Sequence, residues 1–123
     1  MKPRIKGIFM IYDMKLKSPF FERIEKGEKI YEIRLNDEKR KKIKIGDYIN
    51  FKKEPELTES FTAQVVGLDY FSSFKEVIGA YSPKEIGFEG QNKDEIERVY
   101  YGFYSKTNEK QYGVVAIKVK VLK

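Results

Sequence analysis

The chain has 123 residues, of which 41% are apolar and 15% aromatic, and this composition favours one folded domain spanning residues 1–123. Cysteine and histidine are both absent, which excludes a disulfide scaffold, a zinc site of the thiolate or imidazole kind, and catalysis by either side chain. The net charge is +6, and no apolar run approaches the roughly 20 residues of a membrane span, so the sequence predicts a cytoplasmic protein without membrane contact, metal or cofactor.

Five segments have the apolar content or alternation of β-strands and are separated by turn signals. They are residues 5–17 (with an apolar run at 8–12), 30–35, 48–53, 61–70 and 113–122. Within the fourth, Gly67 suggests a β-bulge. The last segment is continuously apolar in its first half and alternates in its second, as in a strand that runs from a barrel core to its rim.

Helix signals lie between these strands. Ser18 is the expected N-cap of a first helix, with Pro19 at its first position and Gly27 as the C-terminal cap. Capping boxes that begin at Ser73 and Ser82, and a looser one at Asn92, predict further helices. In the last of these, the helical spacing of Ile96, Val99 and Phe103 predicts the core face. Tyr100 and Tyr104 share another face, which we expect to pack against the barrel, although it could also line a cleft.

The turn between the second and third strands is strongly basic. Lysine or arginine occupies five of the six positions from 39 to 44: Lys39, Arg40, Lys41, Lys42 and Lys44. Such a cluster attracts the phosphates of a nucleic-acid backbone, although a solvated loop has the same composition. We therefore take these residues as candidate backbone contacts.

Charged residues also occur in the second strand, where they are unfavourable unless the strand is an exposed edge or carries a site. Alternation puts Glu32 and Arg34 on one face, close enough to pair, and Lys29 at the start of the strand could reach the same cleft. Tyr12 and Tyr70 could add stacking surfaces for a base. The alternative is that Glu32 and Arg34 form an ion pair that only stabilises the fold.

Pro19-Phe20-Phe21, the spacing Gly27-x-Lys29-x-x-Glu32-x-Arg34, and Gly46-Asp47-x-Ile49-x-Phe51 occur in the order found in one known family. In this combination the chain resembles the ASCH domain (activating signal cointegrator homology) over nearly its whole length. The resemblance implies an α+β fold, a PUA-like small mixed β-barrel of about five to six strands with three to four short helices. It also implies binding of RNA or a nucleotide, in RNA metabolism or translation-related regulation.

The resemblance leaves an enzyme open as an alternative. One subgroup of ASCH relatives resembles amidohydrolases that act on acetylated cytidine nucleosides, with a Lys-x-x-Thr pair in this strand. Lys29 matches that lysine, but Glu32 stands in the place of the threonine, so the nucleophile of those enzymes is missing; Lys29 and Glu32 are the catalytic candidates. Others resemble metal-dependent ribonucleases, for which Glu32 with Asp47 or Asp69 could supply oxygen ligands. A third alternative is a protein-interaction module.

Overall fold

The computed structural model describes residues 9–122, and two kinds of element alternate along them. The strands are β1 (Ile11–Leu16), β2 (Tyr31–Leu35), β3 (Tyr48–Lys53), β4 (Ser60–Phe71) and β5 (Val114–Val121). The helices are α1 (Phe20–Glu25), α2 (Phe74–Ala80), α3 (Lys93–Phe103) and α4 (Lys106–Tyr112), with a 3-10 helix at Arg40–Lys42. The predicted α+β class and its numbers of strands and helices are confirmed.

The five strands form one mixed sheet in the order β1-β3-β4-β5-β2. β1 pairs with β3 in parallel, and the other neighbouring strands are antiparallel. The sheet curls into a half-barrel. Because β1 and β2 come first and last in the strand order, they are its two edge strands. A register shift between Val65 and Gly67 confirms the bulge predicted in β4, and it allows this long strand to pair first with β3 and then along β5.

Both faces of the sheet are covered, because β5 contributes to two apolar clusters. Val115, Ile117 and Val119 face the inside of the half-barrel, where they pack with Phe51 of β3 and Phe21 of α1. The alternate residues Val114 and Ala116 face α2 and α3, against Phe74, Val77 and Ile96. This double burial explains the continuous apolar run at the start of β5.

Two predicted boundaries were wrong. β1 begins only at Ile11, so Phe9 and Met10 lie outside the strand, while residues 1–8 of the prediction fall outside the described residues. α1 begins at Phe20 after Pro19, and the Ser18 hydroxyl donates to the Glu22 carboxylate 2.9 Å away instead of capping a backbone amide. The predicted C-terminal cap is confirmed, since Gly27 has φ +81° and its amide bonds to the carbonyl of Ile24.

The capping box predicted at Ser82 forms its hydrogen bonds, but the helix predicted to follow it does not form. The Ser82 amide donates to the Glu85 carboxylate at 2.8 Å, and the Glu85 amide donates to the Ser82 hydroxyl at 3.3 Å. The chain then turns through Gly87, at φ +93°, so the motif closes a turn rather than opening a helix. The looser motif at Asn92 forms a complete capping box on α3 with Glu95.

Among residues 9–122, no helix has the length and apolar character needed to cross a membrane.

The buried carboxylate of Glu109 in α4 ties three helices together. It accepts hydrogen bonds from the Phe74 amide at the start of α2 and from the Tyr101 hydroxyl of α3, both at 2.7 Å. Replacing Glu109 by alanine leaves a buried amide without a partner, and we expect the free energy of unfolding to fall by about 1–3 kcal/mol. Urea denaturation measures this, with the exposed neighbour Gln111→Ala as the control. Equal stability of the two variants would contradict a capping role.

Candidate functional site

Lys29, Glu32 and Arg34 converge on one buried cluster. The Lys29 ammonium lies 2.6 Å from Oε1 of Glu32, and Nε of Arg34 lies 2.6 Å from Oε2 of the same carboxylate. Lys29 and Glu32 expose only 6% and 3% of their surface. The pairing of Glu32 with Arg34 agrees with the strand alternation, and each carboxylate oxygen has its own cation.

The position of Lys29 is set by the turn that precedes β2. After Gly27, the amides of Glu28 and Lys29 both donate to the carbonyl of Arg23 in α1, so Lys29 lies in the turn between α1 and β2. Its aliphatic stem then crosses the turn at Gly87, where a Cβ atom would come within 2.6 Å of the Lys29 Cδ atom. The ammonium lies 5.0 Å from the centre of the Phe20 ring, a cation–π distance.

The cluster stays ionised although it is buried. Burial alone would raise the pKa of Glu32, but the charges of Lys29 and Arg34 outweigh it and hold this pKa below 4.5. Burial would likewise lower the pKa of the Arg34 guanidinium, and the Glu32 carboxylate raises it instead. Two cations and one anion leave a formal excess of one positive charge.

Arg34 also joins the two edges of the sheet. Its Nη2 donates to the backbone carbonyl of Lys15 in β1 at 2.9 Å, although β1 and β2 are at opposite ends of the strand order. One guanidinium thus pairs with Glu32 on its own strand and reaches the facing edge strand. This arrangement uses the planar fork of arginine, which lysine lacks.

The three residues form part of the wall of a pocket of about 180 Å³ between β1, β2 and α3. Aromatic side chains make up much of the remaining wall. They are Phe20, Phe88, Tyr100, Phe103 and Tyr104, and the other lining residues are Lys15, Leu16, Lys17, Ile33, Glu54 and Val99. The wall therefore combines apolar rings with a few charged groups, as ligand pockets do.

Two tyrosine hydroxyls in this wall are available to a ligand. Within residues 9–122, neither the Tyr100 nor the Tyr104 hydroxyl makes a hydrogen bond to protein. Burial, followed by the nearby Glu32 charge, raises the pKa of Tyr100; burial also raises that of Tyr104, against the opposing charge of Arg34. Both hydroxyls therefore remain protonated at neutral pH and can donate.

The core face predicted for α3 was partly wrong. Ile96 is fully buried as expected, but its companion in the core is Tyr100, which stacks on Phe74 with ring centres 4.8 Å apart. Val99 packs against this core cluster and also lines the pocket, whereas Phe103 lines the pocket and is 59% exposed. The face that the sequence assigned to the core therefore turns partly toward the mouth of the pocket.

The two other tyrosines predicted to bind ligand lie away from this pocket. Tyr12 lines a separate depression beside Lys39 and Arg40, and its hydroxyl is 3.3 Å from the carbonyl of Lys42. Tyr70 is 61% exposed. Tyr70 in β4 and Arg34 in β2 both pair with Val115 in β5, so their side chains lie on the same face of the sheet with β5 between them. The structure thus brings together the three charged residues but not the two tyrosines.

The basic turn, comprising residues 39–44, divides into exposed lysines and one partly buried arginine. Lys39, Lys41, Lys42 and Lys44 are exposed. Arg40 lies 3.5 Å from the Asp37 carboxylate, and its Nε is buried without a hydrogen-bond partner among residues 9–122. Lys39 and Arg40 border the separate depression at Tyr12, and none of the five cations of the basic turn lines the pocket.

The aspartates considered as metal ligands have structural partners. The Asp47 carboxylate accepts hydrogen bonds from the amides of Met10 at 3.0 Å and Lys44 at 2.9 Å, which fixes the turn before β3. Asp69 accepts the Tyr81 hydroxyl at 2.6 Å. Neither lines the pocket with Glu32, and residues 9–122 contain no group of three or more acidic side chains that could hold a metal.

Sequence reasoning missed the pocket residues at the end of β1 and directly after it. Lys15 and Lys17 follow an ordinary alternation, and only the proximity of β1 to β2 brings them to the pocket. Their one sequence signal was an exposed lysine pair beside the Pro19-Phe20 motif.

Comparisons with known proteins identify the family and the fold of the chain. The family model of the ASCH domain matches residues 14–123. The crystal structure of hypothetical protein PH0355 is 35% identical with a TM-score of 0.83, covering 92% of this chain and 100% of its own. The solution structure of protein PF0455 from Pyrococcus furiosus is 34% identical with a TM-score of 0.75, covering 93% and 99%.

A more distant match shows the fold alone. The crystal structure of ASCH from Zymomonas mobilis is 12% identical with a TM-score of 0.62, covering 89% of this chain and 66% of its own. No curated protein gives a significant match.

The ionised state of buried Glu32 predicts a specific pH dependence. Glu32→Gln should lower the free energy of unfolding by about 3–5 kcal/mol at neutral pH, because it leaves two cations without their anion. Since the folded pKa lies below 4.5, the carboxylate stabilises the fold above that pH and loses this effect as the pH falls toward the folded pKa. The difference from wild type should therefore shrink by about 1.4 kcal/mol for each pH unit below about 4.5.

Urea denaturation at neutral pH and near pH 3.5 measures both quantities. Glu28→Gln, at an exposed neighbour outside the cluster, is the control and should change stability by less than about 0.5 kcal/mol. The same difference at both pH values would contradict an ionised carboxylate in the folded protein.

Proposed function

Because this chain belongs to the ASCH domain family, whose PUA-like fold is generally associated with RNA binding, we propose that it binds RNA or a ribonucleotide in the pocket described above. The observation that carries the proposal is the convergence of Lys29, Glu32 and Arg34 on one aromatic-walled pocket. A flat basic surface would instead favour contacts to the backbone only.

The size of the pocket favours one ring as its occupant. A cavity of about 150 Å³ in another protein takes up benzene, and this pocket measures about 180 Å³. A single base of similar size would fit between the aromatic walls, while its ribose and phosphate would remain outside. Stacking against aromatic side chains is how proteins commonly hold an unpaired base.

Unused donors in the wall complement the edge of a base. Lys29 and Arg34 each keep N–H groups beyond those that bond to Glu32 and Lys15, and the hydroxyls of Tyr100 and Tyr104 are free within residues 9–122. Base edges offer carbonyl and ring-nitrogen acceptors to such groups. The excess positive charge of the cluster adds attraction for an electron-rich edge.

The basic turn supplies the second part of the proposed interface. Its exposed lysines lie outside the pocket, with Lys39 beside the depression at Tyr12 and Arg40, where the sugar–phosphate backbone of a bound strand could pass. Contacts of this kind add affinity without reading sequence. We therefore propose Lys39, Lys41, Lys42 and Lys44 as backbone contacts, with Arg40 fixing the turn through Asp37.

Binding is favoured over hydrolysis because of the state of Glu32. Both of its oxygens are held by cations at 2.6 Å and its pKa is lowered, so it is a weak base with little freedom to accept a proton from substrate. The hydrolase alternative would regain support if the wild-type protein deacetylated a cytidine nucleoside or cleaved RNA and Glu32→Gln did not.

The tyrosine hydroxyls give a test that leaves the charged cluster intact. Removing both in Tyr100→Phe/Tyr104→Phe should weaken the binding of a short single-stranded RNA by about two- to tenfold for each hydroxyl, the effect of removing one hydrogen bond. Fluorescence anisotropy measures the affinity, and circular dichroism checks the fold.

The control for this variant is Tyr112→Phe, which removes a hydroxyl from a half-buried tyrosine outside the pocket. Unchanged affinity in the double variant would place the ligand elsewhere. Wild-type protein that binds no RNA at low salt would overturn the proposed function itself.

The salt dependence of binding tests the basic turn. Lys39→Glu/Lys41→Glu/Lys42→Glu should flatten the slope of log affinity against log salt by about 0.7 for each phosphate that the turn no longer neutralises. The control reverses three exposed lysines elsewhere, Lys84, Lys110 and Lys120, and should change the slope less. Equal slopes for both variants would remove the basic turn from the interface, and a salt-insensitive complex with a protein partner would favour the interaction module.

A further inference from the structure

We infer that the site takes single-stranded RNA rather than a free nucleotide, with a second base stacked on Phe103 at the mouth of the pocket. This inference rests on the proposed function and names its ligand class more closely. Neither the family match nor the sequence pattern assigned a binding role to Phe103.

Phe103 occupies an unusual position for a large apolar side chain. It ends α3, one helical turn after Tyr100, which packs in the core and borders the pocket. Phe103 lines the same pocket and yet is 59% exposed, so one part of the ring faces the cavity and another part faces solvent. Its neighbour Tyr104 meets it edge-on with ring centres 6.3 Å apart, which supports the orientation of the ring.

The volume of the pocket decides where the rest of the ligand lies. If one base fills about 180 Å³, its ribose, its phosphate and the next nucleotide must lie at the mouth. Phe103 is the exposed aromatic ring at that mouth. A second base leaving the pocket along the strand therefore meets a ring on which any base can stack.

Lysines beside Phe103 suit the phosphate that joins two such bases. The Lys17 ammonium lies 5.8 Å from the centre of the Phe103 ring. Lys15 and Lys17 are both exposed, and neither forms an ion pair within residues 9–122. Glu54, whose amide donates to the Leu16 carbonyl at 2.8 Å, also borders the pocket on this side, and its charge offsets part of the attraction of the two lysines for phosphate.

An isolated exposed phenylalanine is common on protein surfaces and needs no function. Phe103 differs because it borders a pocket and lies beside two lysines without ion-pair partners. A lone nucleotide would use neither the outer face of this ring nor both lysines. An oligonucleotide would use all of them.

The test compares two ligands on the same variants. NMR titration measures the affinities of the four ribonucleoside 5′-monophosphates and of a mixed-sequence RNA of about six nucleotides, a length that a single small domain can cover. Phe103→Ala should weaken the binding of the RNA by about five- to hundredfold, the effect of losing one stacked base, and should change mononucleotide affinity less than about twofold.

Two further variants complete the design. Phe103→Trp should restore RNA affinity, because it provides a stacking surface again. Leu122→Ala, at another exposed apolar residue that does not line the pocket, is the control and should leave both affinities unchanged.

Each outcome separates the inference from the proposed function. If Phe103→Ala weakens both ligands equally, or neither, Phe103 is not a platform for a second base and the inference is overturned, while RNA binding stands. If the wild-type protein binds no RNA, the proposed function fails and the inference fails with it. A selective loss for the RNA, restored by tryptophan, supports it.

Discussion

The Glu32 carboxylate is the anion on which the rest of the site depends. Removing a carboxylate from water costs several kcal/mol, and only close cations with good hydrogen bonds offset it. Lys29 and Arg34 supply these cations, one to each oxygen. In turn, the carboxylate holds both side chains in fixed positions, so that their remaining N–H groups are presented to the pocket in one arrangement.

The same interaction closes the half-barrel. An open sheet leaves backbone groups without partners along its two edges, and β1 and β2 are those edges here. Arg34 satisfies the Lys15 carbonyl on the opposite edge while Glu32 fixes its other end. The fold therefore places its most polar cluster where the sheet lacks a strand-to-strand hydrogen bond, and the pocket lies at the same place. The atoms that stabilise the fold here are thus the same ones for which we propose contact with a ligand.

The sequence predicted the parts of this site that depend on local geometry. Strand alternation is enough to pair Glu32 with Arg34, and a glycine after a helix is enough to expect the turn that carries Lys29. Long-range geometry was not predictable. Nothing local indicates that β1 pairs in parallel with β3, or that the curl of the sheet brings Lys15 to Arg34. The helix α4 was missed because its only buried residue is the polar Glu109, so it lacks the apolar spacing that identifies a helix. The core face of α3 was misjudged because Phe103 is in its last turn, where the helix extends past the apolar cluster that buries Ile96.

The turn at Gly87 has a consequence for how this family can vary. A Cβ atom at this position would collide with the stem of Lys29 and crowd the ring of Phe20, and the φ of +93° already disfavours any other residue. The identity of residue 87 is thereby coupled to the length of the side chain at residue 29, although 58 positions separate them in the chain. A relative that keeps the lysine must keep the glycine, whereas one that shortens residue 29 relaxes the steric part of the constraint. The two positions should therefore change together across homologues. Their covariation would show which homologues have retained the buried lysine.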